Sequence, residues 1–397
     1  MRTERGTTME LGQLLLELTA RVRPDRADGI TAAVVLATPE ERWTLRLDRG
    51  RLTVGIGGVE RPDAVISSDP QTLIDINTGR LTGSEAFLDG RVTVRGNLGL
   101  AIRLESIFDP LFARPATAPQ DRTVMAGGLP VSILEAGSGD PVLLLHGLGA
   151  TKVSFLPTML ALAKDHRVIA PDLLGHGDTA KPLVRYDAPT YARFVMSLMD
   201  ALNIERADLI GNSMGGRISL ELAMTTPDRV RSVSLLCPAV AFLKRRGMVP
   251  FVRALRPELG IVPHRLPHRL VVRSIRQMFS QPDRLPPSWY AAGADEFLRV
   301  FRTPRGRAAL YASMRNIYLD EPAGERGFWV RLERLDRPSL FLWGDRDRLV
   351  PAAFDRHVRR VLPNAASHVL DDCGHVPQFE HPDKTHALIR SFLRSAA

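Results

Sequence analysis

The stretch Asp208-Leu209-Ile210-Gly211-Asn212-Ser213-Met214-Gly215-Gly216 decides the reading of the longer half of this 397-residue chain. Asp208–Gly211 is an apolar run with the length of a buried strand. The residues after Ser213 place Ile218, Leu220, Leu222 and Ala223 along an amphipathic helix. A serine on so sharp a strand-to-helix turn projects its oxygen away from the sheet. Gly211 and Gly215, two positions to either side, permit the turn and the close approach of helix and strand. The serine also sits at a helix N-terminus, where free backbone N–H groups favour developing negative charge. Gly-x-Ser-x-Gly alone arises by chance, and an inert serine in a tight turn is the plain alternative. The strand before and the helix after it favour a nucleophile.

Outward from this turn, apolar strands are expected at Val131–Leu134, Val142–Leu145, Val168–Ala170, Val230–Leu236, Ser339–Trp343 and Ser367–Leu370. Helical segments fall between most of them, including 190–202, 214–226, 352–361 and 383–394. That alternation predicts a parallel sheet covered on both faces. It stops between about 238 and 325, an Arg- and Pro-rich stretch of helical character inserted between two strands.

A serine hydroxyl is a poor nucleophile without a base, and the base needs an acid to orient it. His375 lies on the loop after the last strand, in Asp371-Asp372-Cys373-Gly374-His375-Val376-Pro377-Gln378-Phe379-Glu380-His381-Pro382. From there it can swing over the carboxyl edge of the sheet to Ser213. His381, beyond it, suits a structural or capping role, and His368 is expected to pack within its strand. For the acid, Asp345 and Asp347 compete in Leu342-Trp343-Gly344-Asp345-Arg346-Asp347-Arg348-Leu349-Val350-Pro351, which follows the penultimate strand. Asp371 and Asp372 are too close to His375 along the loop to be preferred.

With these motifs, nearly all of residues 125–397 resembles the α/β-hydrolase superfamily. The resemblance implies that the acid is Asp347, matching the family's Trp-Gly-x-x-Asp-x-x-Val-Pro loop, with Asp345 a turn or hydrogen-bonding residue. The order Ser213, Asp347, His375 is that of the fold. His146-Gly147-Leu148-Gly149, after the strand Val142–Leu145, resembles the family's His-Gly loop. By that match the oxyanion donors are the backbone N–H groups of Leu148 and Met214, and His146 holds the loop. Asp172-Leu173-Leu174-Gly175-His176-Gly177-Asp178-Thr179 fits the loop after the next strand, with His176 structural or pocket-lining. Residues 239–325 fit the position of a cap that closes over the nucleophile and excludes water. Its apolar residues include Phe242, Met248, Val249, Phe251 and Met278. A serine nucleophile disfavours the dehalogenase and epoxide-hydrolase branches, which use aspartate.

The first half is patterned differently. Leu11, Leu14, Leu15 and Leu18 fall on one helical face. Strands are expected at Thr31–Ala37, Trp43–Asp48, Leu52–Ile56 and Asp63–Ser67. Asp48-Arg49-Gly50-Arg51 turns a hairpin, and Asp69 caps a helix that starts at Pro70. Segments 82–89 and 97–109 read as helices and 91–95 as a strand. The string DAVISSDPQTLIDINTGRLTGSEAFLDGRVTVRGNLGLAIRLESIF resembles the C-terminal part of sterol-carrier-type (SCP2-like) lipid-binding domains, over about residues 9–112. This implies a small α+β domain with an apolar tunnel for a fatty-acyl chain or sterol. A scaffolding or dimerisation domain is the alternative. FARPATAPQDR, residues 112–122, has the look of a linker.

Composition excludes several classes. Hydrophobic residues at 44% and charged residues at 24% rule out wholesale disorder. No apolar run approaches the roughly 18–20 residues that cross a bilayer. The first residues carry no clear secretory signal, Met9 is a second candidate start after a short leader, and the two cysteines, Cys237 and Cys373, fit a reducing cytoplasm. No nucleotide loop, His-Glu-x-x-His helix or cysteine cluster suggests a metal or cofactor. The net charge of +9 is local: residues 241–310 hold 14 Lys and Arg against 4 Asp and Glu. That basic segment suits either a solvated cap or attraction to acidic lipid surfaces or an anionic substrate. No nucleic-acid motif accompanies it, so nucleic-acid binding is not expected.

The expectation is therefore an SCP2-like domain over residues 1–113, a linker over 114–124, an α/β-hydrolase core over 125–238 and 326–397, and a helical cap over 239–325. It is a cytoplasmic serine hydrolase of carboxylic esters with lipophilic acyl groups, working through Ser213, His375 and Asp347 without cofactor. A fatty-acyl or sterol-like ligand in the first domain and peripheral contact of the basic cap with acidic lipid belong to the same picture. Two alternatives remain: a carbon–carbon hydrolase of a ring-cleavage diketone, and a lipid carrier with a vestigial hydrolase half.

Overall fold

The computed structural model describes residues 11–109, 116–241 and 249–396. The leader before Met9, residues 112–115 of the linker stretch, and Phe242 and Met248 of the inserted segment lie outside the described residues. The chain divides into two compact units. One comprises Met1–Arg122 with Pro286–Glu296, the other Thr123–Leu285 with Phe297–Ala397.

The first unit is built on a five-stranded sheet of β1 (Thr31–Ala37), β2 (Arg42–Asp48), β3 (Arg51–Ile56), β4 (Ala64–Ser68) and β5 (Val92–Gly96), in the order β3-β2-β1-β4-β5. The alternation in β2 buries Trp43, Leu45 and Leu47 and leaves Arg46 and Asp48 exposed. Arg49 and Gly50 both have positive φ, +48° and +83°, which matches the right-handed twist of the β2–β3 hairpin. Side-chain caps start all three helices that follow. Asp69 accepts from Thr72 N–H before Pro70–Thr78, Thr82 and Glu85 form a reciprocal pair before Gly83–Leu88, and Asn97 accepts from Leu100 N–H before Leu98–Ile107. Sheet and helices line an apolar cavity of about 110 Å³, bordered by residues that include Leu36, Leu45, Ile66, Phe87, Val94 and Ile102. Arg21, Asn77 and Glu105 supply its polar lining.

The second unit holds an eight-stranded sheet. Its strands are β6 (Gln120–Ala126), β7 (Leu129–Ala136), β8 (Pro141–Leu145), β9 (Arg167–Pro171), β10 (Ala207–Asn212), β11 (Val230–Leu236), β12 (Ser339–Gly344) and β13 (Ala366–Leu370). Their order is β13-β12-β11-β10-β8-β9-β7-β6. From β13 to β9 neighbours run parallel, but β7 is antiparallel to β9, so the sheet is mixed. The wholly parallel expectation missed this because β6 starts inside the linker-like stretch. Gly127 and Gly128, both at positive φ, turn β6 back into β7 as a hairpin. The central strands read as unbroken apolar runs because both faces are covered, and β10 is buried at every position.

The inserted segment forms helices at Val249–Ala254, His268–Arg276, Pro287–Phe301 and Pro304–Tyr318. Among the described residues, no helix is long and apolar enough to cross a membrane.

Candidate active site

Ser213 follows β10 directly and precedes the helix Met214–Thr225, with φ 52° and ψ −113°. A non-glycine residue there is strained, and the surroundings must hold it. Ser213 N–H donates to Leu236 O at 2.9 Å, while Arg217 N–H and Ala239 N–H both donate to its carbonyl. The flanking glycines are needed for space. A Cβ at Gly215 would lie 1.8 Å from Leu145 O, and one at Gly211 would lie 2.4 Å from Gly215 C. Ser213 remains partly exposed among buried neighbours.

Asp347 and His375 come together from separate loops, the first after β12 and the second after β13. Asp347 Oδ2 lies 2.7 Å from His375 Nδ1. The other carboxylate oxygen accepts from Leu349 N–H at 2.7 Å and Val350 N–H at 3.0 Å. A carboxylate that only accepts places the proton on Nδ1 and leaves Nε2 as the basic nitrogen. Both residues are buried, at 7% and 2% exposure. The backbone of His375 is pinned at both ends: its N–H donates to Met278 O at 2.7 Å, and its carbonyl accepts from Asn212 Nδ2 at 3.0 Å. Asn212 therefore ties the residue before the serine to the histidine loop. Among the described residues no hydrogen bond joins the Ser213 hydroxyl to His375. Such bonds commonly tighten only when substrate is bound.

The loop after β8 lies against the serine. A Cβ on Gly147 would stand 3.4 Å from Ser213 Cβ and 3.3 Å from Asn212 Oδ1. Among the described residues, neither Leu148 N–H nor Met214 N–H has a hydrogen-bond partner. Unpaired backbone donors are uncommon in a protein interior, and two beside one serine suit an incoming oxyanion. His146 holds this loop: its Nε2 accepts from Leu173 N–H at 2.9 Å, so Nδ1 donates to Gly147 O at 2.8 Å. Burial pushes its pKa below the usual histidine value, with Asp172 opposing. His176 packs edge-on to His146, its ring centroid 5.2 Å away, and burial followed by His146 pushes it down to about 3.

Other sequence candidates fall elsewhere. Asp345 accepts from Cys373 N–H at 3.0 Å rather than from a histidine ring. His381 is half-buried and pairs with Asp372 O. His368, expected to pack, is exposed, because β13 is an edge strand.

Three features escaped sequence reasoning. Lys152 is 1% exposed and pairs with Asp172 Oδ2 at 3.4 Å and with the Ser132 hydroxyl. Burial raises the Asp172 pKa, but Lys152, then His146 and two backbone N–H groups, outweigh it and hold the carboxyl below its usual value. Glu380 bridges Gly374 N–H at 2.8 Å and Ser280 N–H at 2.7 Å, fastening the histidine loop to the inserted segment. Cys237 brings its sulfur within 4.8 Å of ligand atoms of Asp347 and His375. Burial and then the Asp347 charge push this thiol well up, so it stays a neutral thiol rather than a metal-binding thiolate.

Residues 140–382 match the family model described as the alpha/beta hydrolase fold. The chain belongs to this family. Residues 13–109 match the SCP-2 sterol transfer family, so this α/β hydrolase carries an N-terminal SCP2 domain. It is 29% identical over 294 residues to a 2-hydroxymuconate semialdehyde hydrolase of Pseudomonas putida, covering 71% of this chain and 97% of the relative. It is 32% identical to a dihydrolipoyllysine-residue acetyltransferase component of an acetoin cleaving system, also of Pseudomonas putida, covering 71% of each. Among solved structures it resembles a bacterial membrane phospholipase A at 27% identity and a TM-score of 0.58, covering 71% of this chain and 87% of that one.

Proposed function

We propose that this α/β hydrolase cleaves carboxylic esters of lipophilic acyl groups through Ser213, His375 and Asp347. The observation that carries the reading is the Asp347–His375 pair at 2.7 Å, set beside a strained serine with two unpartnered backbone N–H groups. Ser213 Oγ attacks the carbonyl carbon as its proton passes to His375 Nε2. The oxyanion accepts from Leu148 N–H and Met214 N–H. The ester C–O bond then breaks, and His375 returns the proton to the departing alcohol. A water, deprotonated by the same nitrogen, releases the acid and restores the serine. The helices of the inserted segment that belong to the second unit act as a cap over this site. The apolar cavity of the SCP2 domain supports a lipophilic substrate, gathered there as a fatty-acyl or sterol-like ligand. Two buried free thiols suit a reducing compartment such as the cytoplasm.

A second reading has its own support. The similarity to 2-hydroxymuconate semialdehyde hydrolase, over nearly the whole of that relative, favours cleavage of a carbon–carbon bond beside a ketone. The same serine, histidine and oxyanion donors serve a carbonyl in either case.

One experiment tests both. The purified full chain and its Ser213→Ala variant are assayed on esters of increasing acyl length and on a ring-cleavage diketone, alongside labelling by a fluorophosphonate. The ester reading expects labelling at Ser213, a preference for longer acyl chains, and a loss of roughly 10⁴–10⁶-fold in the variant. Faster turnover of the diketone than of any ester selects the second reading. Retention of activity by Ser213→Ala, or failure of the serine to label, overturns the assignment.

A further inference from the structure

Large apolar side chains are exposed unevenly. Of the thirteen exposed ones among the described residues, six fall between residues 251 and 270: Phe251, Leu259, Ile261, Val262, Leu266 and Leu270. Ile261 and Val262 are 71% and 56% exposed, values at which an isoleucine or valine gains little from folding. Gly260 and Val271 are buried and flank residues 261–270, so the apolar residues between them are held out from a fixed base. Clustered exposed apolar groups of this kind mark an interaction surface.

The charge on the same stretch is one-sided. Residues 251–282 contain six arginines, and Glu258 is their only acidic residue. The helix His268–Arg276 places Arg269, Arg273 and Arg276 at i, i+4 and i+7 and keeps Leu270 exposed beside them. With Arg348, these three arginines line an open recess of about 480 Å³, which Val272, Phe279 and Pro282 also border. Arg276 is paired with Asp283 at 2.5 Å. Among the described residues, Arg269, Arg273 and Arg348 have no carboxylate partner. Next to Arg348 in the chain, Leu349 is 51% exposed.

Apolar side chains that protrude beside unpaired arginines are complementary to one kind of partner, a surface that is anionic at its face and apolar just beneath. We propose that residues 251–276 with Arg348 form a docking surface for an anionic lipid bilayer. Arg269, Arg273 and Arg348 seat phosphate headgroups in the recess, and Leu259, Ile261, Val262, Leu266 and Leu270 enter the headgroup–acyl boundary. Docking of this kind holds the protein on the membrane without crossing it. It requires nothing of the catalytic reading and stands or falls separately.

The test is sedimentation of the full chain with vesicles of phosphatidylglycerol and phosphatidylcholine, against vesicles of phosphatidylcholine alone. Two double variants are compared: Arg269→Gln with Arg273→Gln, and Leu266→Ser with Leu270→Ser. All four side chains are exposed, and an unchanged thermal midpoint shows that the variants fold. Wild type is expected to bind the anionic vesicles, to release them as salt rises, and to bind neutral vesicles far more weakly. Removing two arginines should weaken binding by about 25-fold, roughly fivefold for each. The leucine pair should weaken binding at all salt concentrations, because burial of apolar surface is not screened. Absence of binding to anionic vesicles overturns the proposal, as does binding that neither pair of substitutions alters. Binding to polyglutamate without binding to vesicles also overturns it, and assigns the face to an acidic protein partner instead.

Discussion

Asp347 meets His375 through one carboxylate oxygen at 2.7 Å, while the other is held by two backbone N–H groups of its own loop. The carboxylate therefore cannot turn away without breaking backbone bonds, and the imidazole is fixed in the tautomer that exposes Nε2. Asp347→Asn keeps the shape but offers an N–H donor where the ring needs an acceptor. A fall in kcat on the order of 10⁴-fold is expected, with KM nearly unchanged. Steady-state kinetics check this, and a loss of less than tenfold would remove Asp347 from the machinery.

Glu380 acts further out. Its two oxygens accept from Gly374 N–H and Ser280 N–H, so one side chain sets the distance between the histidine loop and the inserted segment. Gly374 has no space for a substitute anchor, since a Cβ there would lie 2.3 Å from Met278 O. Glu380→Gln leaves one of the two N–H groups facing an amide donor. We expect kcat to fall by about ten- to a hundredfold through misplacement of His375, with a smaller change in KM. A loss confined to stability, with kcat intact in the folded variant, would make Glu380 merely structural.

Much of this was legible in the sequence, and the reason lies in locality. The strand Asp208–Gly211, the glycines around Ser213 and the Asp69-Pro70 helix start each encode their conformation within a few residues. His375 and Asp347, which lie 2.7 Å apart, each sit on a loop directly after an apolar strand, but position alone left Asp345 competing, and the resemblance to the hydrolase family chose Asp347. β6 was not, because its alternation of exposed and buried residues begins in polar sequence that also suits a linker; Gly127-Gly128 was the available signal. His368 was misjudged because sequence does not say which strand ends the sheet. Lys152 with Asp172, Asn212 with His375 and Glu380 with Ser280 join residues distant along the chain, and nothing in either local sequence announces the partner.

The Lys152–Asp172 pair carries a stability prediction. Both side chains are 1–2% exposed, and Asp172 also accepts from Lys152 N–H and Asp178 N–H, fastening the loop after β9 to the loop after β8. Lys152→Met keeps the bulk of the stem but strands a buried carboxylate. A destabilisation of about 3–5 kcal/mol is expected in chemical denaturation. Replacing both residues, as Lys152→Met with Asp172→Asn, should recover part of that loss, because the uncompensated charge is gone. If the single variant unfolds like wild type, the pair contributes little.

His386 gives the protein an acid sensitivity of calculable sign. It is 4% exposed, its Nε2 lies 3.1 Å from Thr158 Oγ1, and burial, followed by the Arg390 charge, pushes its pKa down to about 4. In the unfolded chain the ring takes up a proton below its ordinary value of 6.5. Above that pH both states are neutral and the buried ring imposes no pH dependence. As pH falls from 6.5 towards 4, only the unfolded state gains the proton, and folding stability drops. Below about 4 the folded state protonates too, and the loss levels off. The drop attributable to this residue is on the order of 3 kcal/mol. His176, pushed to about 3, acts in the same direction, as do protonating carboxylates, so the contribution of His386 is read as a difference. The His386→Gln variant, whose amide can still meet Thr158, should lose less stability than wild type between pH 6.5 and 4 in urea titrations. Parallel pH profiles for the two proteins would mean that His386 is already protonated in the folded state or that the interior opens to water around it.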